Sequence, residues 1–362
     1  MVCTTLIAGI AMAGEFQRGL EAFNSEDYDQ AMASWLPLAR AGDINAMYNV
    51  GLLYDEGLGV PVDKEAALDW YLVPAEEGDV SAQFNVAMIY DFGDGVPENN
   101  EKALFWYTVA ARQADELAQF NLAVMYATGE GVRVDMDEAI KWYKFSADLG
   151  HVPAQYNLAY IYDTGTGVPE DNQLAMQWYL KAADQGDDDA QYAIALMYDE
   201  GDGFAPDDLA AIKWYTLAAE QDNLRAQFNL AIMYDVGEGV PEDDAAAIRW
   251  YTAAAEAGHA DAQLNLGVMY ENGEGTVADA GQAMHWYRRA ADQGSRDAQY
   301  AVALMFDEGI GSPEDNGAAL AWYARAAEQG DAQAQNNLGA MYDAGEGVPV
   351  DDERAVYWYK LS

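Results

Sequence analysis

The 36 residues AQFNLAIMYDVGEGVPEDDAAAIRWYTAAAEAGHAD, Ala226 to Asp261, decide the fold. Ala226, Leu230 and Tyr234 stand four apart and draw an apolar stripe along a helix of about three turns. Gly237 and Gly239 then take the chain through a sharp turn whose backbone conformations are costly for a residue with a side chain. Pro241 precedes Asp243, an acid placed to cap a second helix. That helix carries Ala247, Trp250, Tyr251, Ala254 and Ala255 on one wide apolar face, its alanines letting neighbouring helices close in while Trp fills the space left. Gly258 ends it, and His259 stands at the cap position of the helix that follows.

The pattern recurs with a period of 36 and no insertion or deletion. Ala46, Ala82, Ala118, Ala154, Ala190, Ala226, Ala262, Ala298 and Ala334 open nine copies. Trp70, Trp106, Trp142, Trp178, Trp214, Trp250, Trp286, Trp322 and Trp358 recur at the same spacing, each followed by Tyr; with Trp35 in a looser first unit these are all ten tryptophans, so none is left for a private ligand box. The Asp243 row is Asp or Asn throughout, and the His259 row (Asp43, Asp79, Asp115, His151, Asp187, Asn223, His259, Ser295, Asp331) mostly suits an N-cap. A helical hairpin of this size cannot bury its own faces, so stacking is obligatory. The expected fold is all-α, an α-solenoid (superhelix) of antiparallel helix pairs.

The run A-Q-x-N-L-A-x-M-Y-D-x-G-x-G-V-P-x-D, followed by A-x-x-W-Y-x-x-A-A-x-x-G, resembles the Sel-one-like repeats, the 36-residue relatives of tetratricopeptide repeats, over residues 44–362. The resemblance implies an adaptor of signalling or envelope processes that docks partners on its concave surface. Residues 14–43 are expected to form a degenerate N-terminal capping repeat. The ninth repeat stops at Trp358-Tyr359-Lys360-Leu361-Ser362, before the Ala-Ala that closes the others, which points to a truncated chain or to an end that meets another molecule.

The balance of 62 acidic to 18 basic residues, a net charge of -44, repels phosphate backbones and disfavours nucleic acid and anionic lipid. A basic protein or peptide is the natural complement, and a halophilic or marine surface chemistry serving solubility alone is the competing explanation. The opening MVCTTLIAGIAMA ends in Ala11-Met12-Ala13, the small-residue pattern before a signal-peptidase cut, though no basic segment precedes it. Residues 1–13 are therefore expected to be an export signal, with a periplasmic or secreted destination; a buried first helix in a cytoplasmic protein is the alternative. The stretch is too short to span a membrane, and it contains Cys3, the one cysteine.

Chemical motifs mostly dissolve on inspection. The repeated G-x-G-V lacks the preceding strand of a dinucleotide loop. Asp199-x-x-Asp202-Gly203 puts Gly201 and Gly203 where an EF-hand needs oxygens, leaving diffuse divalent binding as a minor alternative. His151, His259 and His285 are dispersed, and nothing suggests a nucleophile with its base. Cysteine-rich members of the resembled family are linked to β-lactam binding, but this chain lacks paired cysteines and any Ser-x-x-Lys. No catalytic residue, metal ligand or cofactor is expected.

Two rows remain for function. Phe84, Phe120, Tyr156, Tyr192 and Phe228 lie with Ile232 on a face nearly opposite the Ala226 stripe, either packing against adjacent repeats or anchoring a partner. Asp91, Asp163, Asp199, Asp235 and Asp307 belong to a row that is acidic in eight of nine copies, in a last helical turn where each acid costs roughly 0.3–1 kcal/mol. Like charges on helices about 8–10 Å apart add a repulsion of roughly 0.4 kcal/mol per pair in unscreened water. A cost tolerated eight times suggests use: an acidic rail, continued by Asp94, Glu130, Asp202, Glu238, Glu274 and Glu346 between the glycines, for a basic, partly apolar segment. The competing idea is that the first helix ends early and frees the acid to cap the glycine-turn amides; a further class of function is an architectural spacer of the cell envelope with no defined ligand.

Overall fold

The computed structural model describes residues 2–362, with side chains from Met12 onward. The described residues form twenty helices and no strand. Cys3 and most of the expected export signal fall on side chains outside those described; the backbone there belongs to the first helix.

The chain divides into two compact units, Met1–Ala182 and Ala183–Ser362. The first holds α1 (Val2–Asn24), α2 (Tyr28–Arg40), α3 (Ile44–Glu56), α4 (Lys64–Glu76), α5 (Val80–Phe92), α6 (Asn100–Ala111), α7 (Glu116–Thr128), α8 (Met136–Asp148), α9 (Val152–Thr164) and α10 (Asn172–Ala183), whose last residue opens the second unit. The second continues with α11 (Asp188–Glu200), α12 (Asp208–Ala219), α13 (Leu224–Val236), α14 (Asp244–Glu256), α15 (Ala260–Asn272), α16 (Ala280–Asp292), α17 (Arg296–Glu308), α18 (Asn316–Glu328), α19 (Ala332–Ala344) and α20 (Asp352–Tyr359). From α1 to α9, and again from α11 to α20, each helix packs on the next. This is the stacked pairing of an α-solenoid, as the period predicts. Odd-numbered helices from α3 onward are called A helices and even-numbered ones from α4 onward B helices.

Local chemistry starts and stops each helix. Asp243 accepts from the Ala246 amide to cap α14, and Gly237, at φ +71°, ends α13 with its N–H on Met233. The same caps recur at Asp63, Asn99, Asp135, Asp207, Asp279, Asp315 and Asp351. The second glycine of each turn has an additional reason. A Cβ on Gly275 would stand 2.6 Å from the Cβ of Asp244, because this turn nests on the first residue of the preceding B helix. Gly95 stands in the same way on Lys64.

Packing is tightest around the B-helix tyrosines. In α14 the buried residues are Ala247, Trp250, Tyr251, Ala254 and Ala255, the face expected from spacing. Tyr251 is the deeper of the two aromatics, with 1% of its surface exposed against 8% for Trp250, whose outer face carries the Arg249 guanidinium at 4.5 Å. In α13 the expected stripe is corrected: Ala226, Gln227, Leu230, Ala231 and Met233 are buried, while Tyr234 rides half-buried at the edge. Because α12 and α14 both press on α13, the buried arc is wide enough to take in a glutamine. Gln227 donates its side-chain amide to the Ala219 carbonyl at 3.2 Å, and Gln83, Gln119, Gln263, Gln299 and Gln335 make the same bond eight residues back. The pair α1 and α2 ahead of the repeats packs in like manner, around a Trp35 that donates to the Phe16 carbonyl.

Gly275→Ala should lower the melting temperature more than Gly258→Ala. Both positions have positive φ, costing an L-residue about 1–2 kcal/mol, but Gly258 has nothing within 4 Å of the added Cβ. Equal losses by calorimetry would remove the inter-repeat nest as the reason for the second glycine.

Candidate interaction face

The acid in the last turn of seven A helices has a partner that spacing did not reveal. The Tyr251 hydroxyl donates to Asp235 Oδ2 at 3.1 Å, and the same bond joins Tyr107 to Asp91 (3.0 Å), Tyr179 to Asp163 (3.1 Å), Tyr215 to Asp199 (2.9 Å) and Tyr323 to Asp307 (3.2 Å). Tyr71–Asp55 and Tyr287–Glu271 repeat it, whereas Asp343, the acid of the ninth copy, is exposed. The idea that the helix ends early and frees the acid for the glycine amides is corrected here: α13 runs to Val236, so Asp235 is still helical and points to α14. A hydrogen bond to a charged group contributes about 1.5–3 kcal/mol, which outweighs the dipole cost of roughly 0.3–1 kcal/mol.

An asparagine from the next repeat extends the bond across the repeat boundary. Asn265 Nδ2 donates to the Tyr251 hydroxyl at 3.1 Å, as Asn121 does to Tyr107 and Asn229 to Tyr215. Each relay therefore runs from Asn through Tyr to Asp. Burial drives the pKa of Tyr251 well above the ordinary phenol value, with the Asp235 charge adding to the rise, so the hydroxyl stays protonated as donor. Burial also raises Asp235 above the usual carboxylate range; the Tyr251 bond opposes this, while Glu274 and Asp244 push the same way as burial.

The same tyrosines carry the aromatic row. Phe228 lies 6.0 Å from Tyr251 centroid to centroid, Phe84 5.9 Å from Tyr107, Phe120 5.8 Å from Tyr143, Tyr156 5.6 Å from Tyr179 and Tyr192 5.8 Å from Tyr215. All five candidate aromatics are half-buried, each packed on a tyrosine of its repeat, and Phe120 and Phe228 also meet a histidine. Within each unit the structure thus joins both predicted rows at one residue, the Tyr after each Trp, which the sequence showed only as a periodic companion. Cavities line this face. One of about 200 Å³ is bounded by Asp55, Lys64, Asn85, Met88, Phe92 and Asp94, and one of about 490 Å³ by Arg296, Asp297, Tyr300, Asp331 and Gln333. Among the described residues no three His, Cys, Asp or Glu side chains stand close enough to hold a metal ion.

Two histidines of the cap row behave differently. His259 stacks on Phe228 at 4.2 Å, and its Nδ1 accepts from the Ala262 amide to cap α15. His151 lies 4.8 Å from Phe120 but makes no side-chain cap bond; Pro153 stands in the first turn instead. Burial lowers the pKa of both imidazoles.

Helix pairs stacked in a 36-residue register, with buried glutamine amides tied to the preceding repeat, define a helical repeat scaffold of tetratricopeptide-like type. The chain belongs to the Sel1 repeat family, whose model matches residues 44–79, 80–115, 117–151, 152–187, 188–223, 224–259, 260–295, 296–331 and 332–362. Among solved structures it is similar to a protective antigen present in uropathogenic Escherichia coli strains and displaying an SLR fold, with 35% identity over 96% of this chain and 76% of that one and a TM-score of 0.78. It is also similar to a Sel1 repeat protein from Oxalobacter formigenes, with 35% identity over 81% of this chain and 85% of that one and a TM-score of 0.65. No curated protein matches the chain. Among the described residues, no helix is long and apolar enough to cross a membrane.

Two measurements probe the relay and the cap. Ala127 replaces the acid opposite Tyr143, so Ala127→Asp should supply the missing acceptor and raise stability by about 1 kcal/mol, while Tyr251→Phe should lower it by about 1.5–3 kcal/mol; denaturant titrations giving the reverse signs would remove the relay as a stabilising element. His259 has a folded pKa below its unfolded value of about 6.5, so its contribution is complete above that value and is lost as pH falls through the folded one. His259→Asn keeps a capping side chain without titrating. Wild type should therefore lose stability relative to this variant between about pH 7 and pH 5, and parallel pH curves would dismiss the cap.

Proposed function

We propose that the protein is a non-enzymatic adaptor that takes a basic, partly apolar segment of a partner protein along its A-helix face. The carrying observation is the segregation of charge. The nine A helices contain two basic residues, Arg225 and Arg296, whereas the B helices hold Lys64, Lys102, Lys141, Lys144, Lys181, Lys213, Arg249, Arg288, Arg289, Arg325 and Arg354. Several of these are tied to B-helix tryptophans: Lys181 stands 3.6 Å from the Trp178 ring and Arg325 4.3 Å from Trp322. Among the described residues, Asp91, Asp199, Asp235 and Asp307 form no ion pair with a lysine or arginine of the chain, and half-buried aromatics and exposed apolar side chains such as Phe92 and Val236 belong to the same helices. A potential of one sign over such a face attracts and orients the opposite charge, and the apolar side chains supply anchoring.

Two further parts of the proposal have separate support. The scaffold offers a face of half-buried rings beside tyrosine-bound carboxylates, which favours binding over catalysis. An envelope or secreted location is supported by the Ala11-Met12-Ala13 pattern and by the likeness to a protein described as a protective antigen.

The partner recovered from the native envelope fraction, once purified, should bind about tenfold or more weakly when sodium chloride rises from about 50 to about 500 mM. It should also bind more weakly to a Tyr156→Ala/Tyr192→Ala variant whose melting is checked in parallel. Binding indifferent to both changes would replace the adaptor with an architectural spacer.

A further inference from the structure

One acidic pair on the A-helix face already holds a cation. Lys64, the first residue of α4, places its ammonium 2.7 Å from Asp55 Oδ1 and 3.3 Å from Asp94 Oδ2, while the other oxygen of Asp55 accepts from Tyr71. Asp55 belongs to the last-turn row, and Asp94 lies between the glycines of the next repeat. The lysine thus bridges two repeats, and its cavity is walled by Met88 and Phe92 as well as by the acids.

The same three positions recur in the second unit with the cation replaced. At 36-residue offsets, Asp55, Lys64 and Asp94 become Asp199, Asp208 and Glu238, and then Asp235, Asp244 and Glu274. The backbone setting is conserved among these copies: Gly95 nests on the Cβ of Lys64, Gly239 on that of Asp208 and Gly275 on that of Asp244. Where Lys64 neutralises two acids, an aspartate adds a third. Asp235 feels both Asp244 and Glu274, and the two together oppose its ionisation. Among the described residues, no lysine or arginine forms an ion pair with Asp199, Asp208, Glu238, Asp235, Asp244 or Glu274.

We infer that the positions around Asp235 and Asp199 are receptor sites for lysine ammonium groups of the partner, each taking from outside the cation that Lys64 supplies internally between Asp55 and Asp94. The inference rests on the A-helix face being the docking face. Lys64 shows that this arrangement holds a primary ammonium on an aliphatic stem, two carboxylates, one of them tyrosine-bound, sharing one charge. A metal ion is the poorer fit, since no three acidic groups converge at metal-ligand range among the described residues. A second copy of this chain is disfavoured by its net charge of -44. Exposed Val236 holds, four repeats on, the position from which Phe92 walls the Lys64 cavity, so an apolar residue next to the lysine completes the fit.

The full chain can be titrated, by fluorescence anisotropy, into a fluorescein-labelled peptide of alternating lysine and leucine. Asp208→Lys/Asp244→Lys fills both sites with internal lysines and is expected to weaken binding about tenfold. Glu220→Lys/Glu256→Lys makes the same change in net charge at the other end of the same helices and should weaken it less than about twofold. Glu274→Gln, in an exposed turn, should weaken binding without adding a lysine, and melting curves verify that all variants fold. Equal effects of the two lysine pairs, equal affinity for the Nε-acetylated peptide, or displacement by calcium chloride beyond that by sodium chloride of matched ionic strength would each overturn the inference. Binding that resists Asp208→Lys/Asp244→Lys but falls with Ile232→Ala retains the A-helix face and removes only the ammonium sites. Absence of binding by the wild type overturns both.

Discussion

A helix of 13 residues has too little of its own to stay folded in water, and in this protein it persists only where its apolar side meets the next helix. Everything else follows from that dependence. Alanine at 0% exposure in every B helix from α4 to α18 lets backbones approach closely, and close approach brings polar groups of one repeat within reach of the next. The glutamine amides exploit it by reaching carbonyls at the end of the preceding B helix, adding a second donor to oxygens that also accept a backbone N–H from the turn. Apolar stacking supplies the energy and the glutamines fix the register.

The tyrosine after each tryptophan is where stability and function share one residue. Its ring is buried beneath the aromatic row, and its hydroxyl holds the carboxylate of the acidic row. A partner meeting that face would therefore meet carboxylates already oriented by a protonated donor, with little side-chain freedom left to lose on binding. An acid of this row can serve the fold through one oxygen and hold a cation through the other. Asp55 demonstrates both at once, bonded to Tyr71 through Oδ2 and to Lys64 through Oδ1.

Much of the architecture was legible in the sequence because it rests on local signals. The Asp243 cap, the left-handed Gly237 and the face of Ala247, Trp250, Tyr251, Ala254 and Ala255 all depend on residues within a turn or two of one another. Gln227 was missed because polarity argues for the surface unless the carbonyl that pairs with it is known, and that carbonyl belongs to another helix. Asp235 raised the right question and left it open for the same reason: its partner lies 16 residues on, across a turn whose geometry the spacing does not supply. Lys64 was invisible as a site, since only the placement of Asp94 in the following repeat turns a surface lysine into a bridge.

The two kinds of turn differ in how much they can absorb over evolutionary time. The glycine pair between A and B helices is wedged against the preceding repeat at Gly275 and Gly95, so an extra residue there would collide with a neighbour. The turns at Gly42, Gly78, Gly150, Gly258, Gly294 and Gly330 have free space around them. Length variation among homologues should therefore arise by gain or loss of whole units, or by loops grafted at the open turns, where new sequence could grow outward without disturbing the stack.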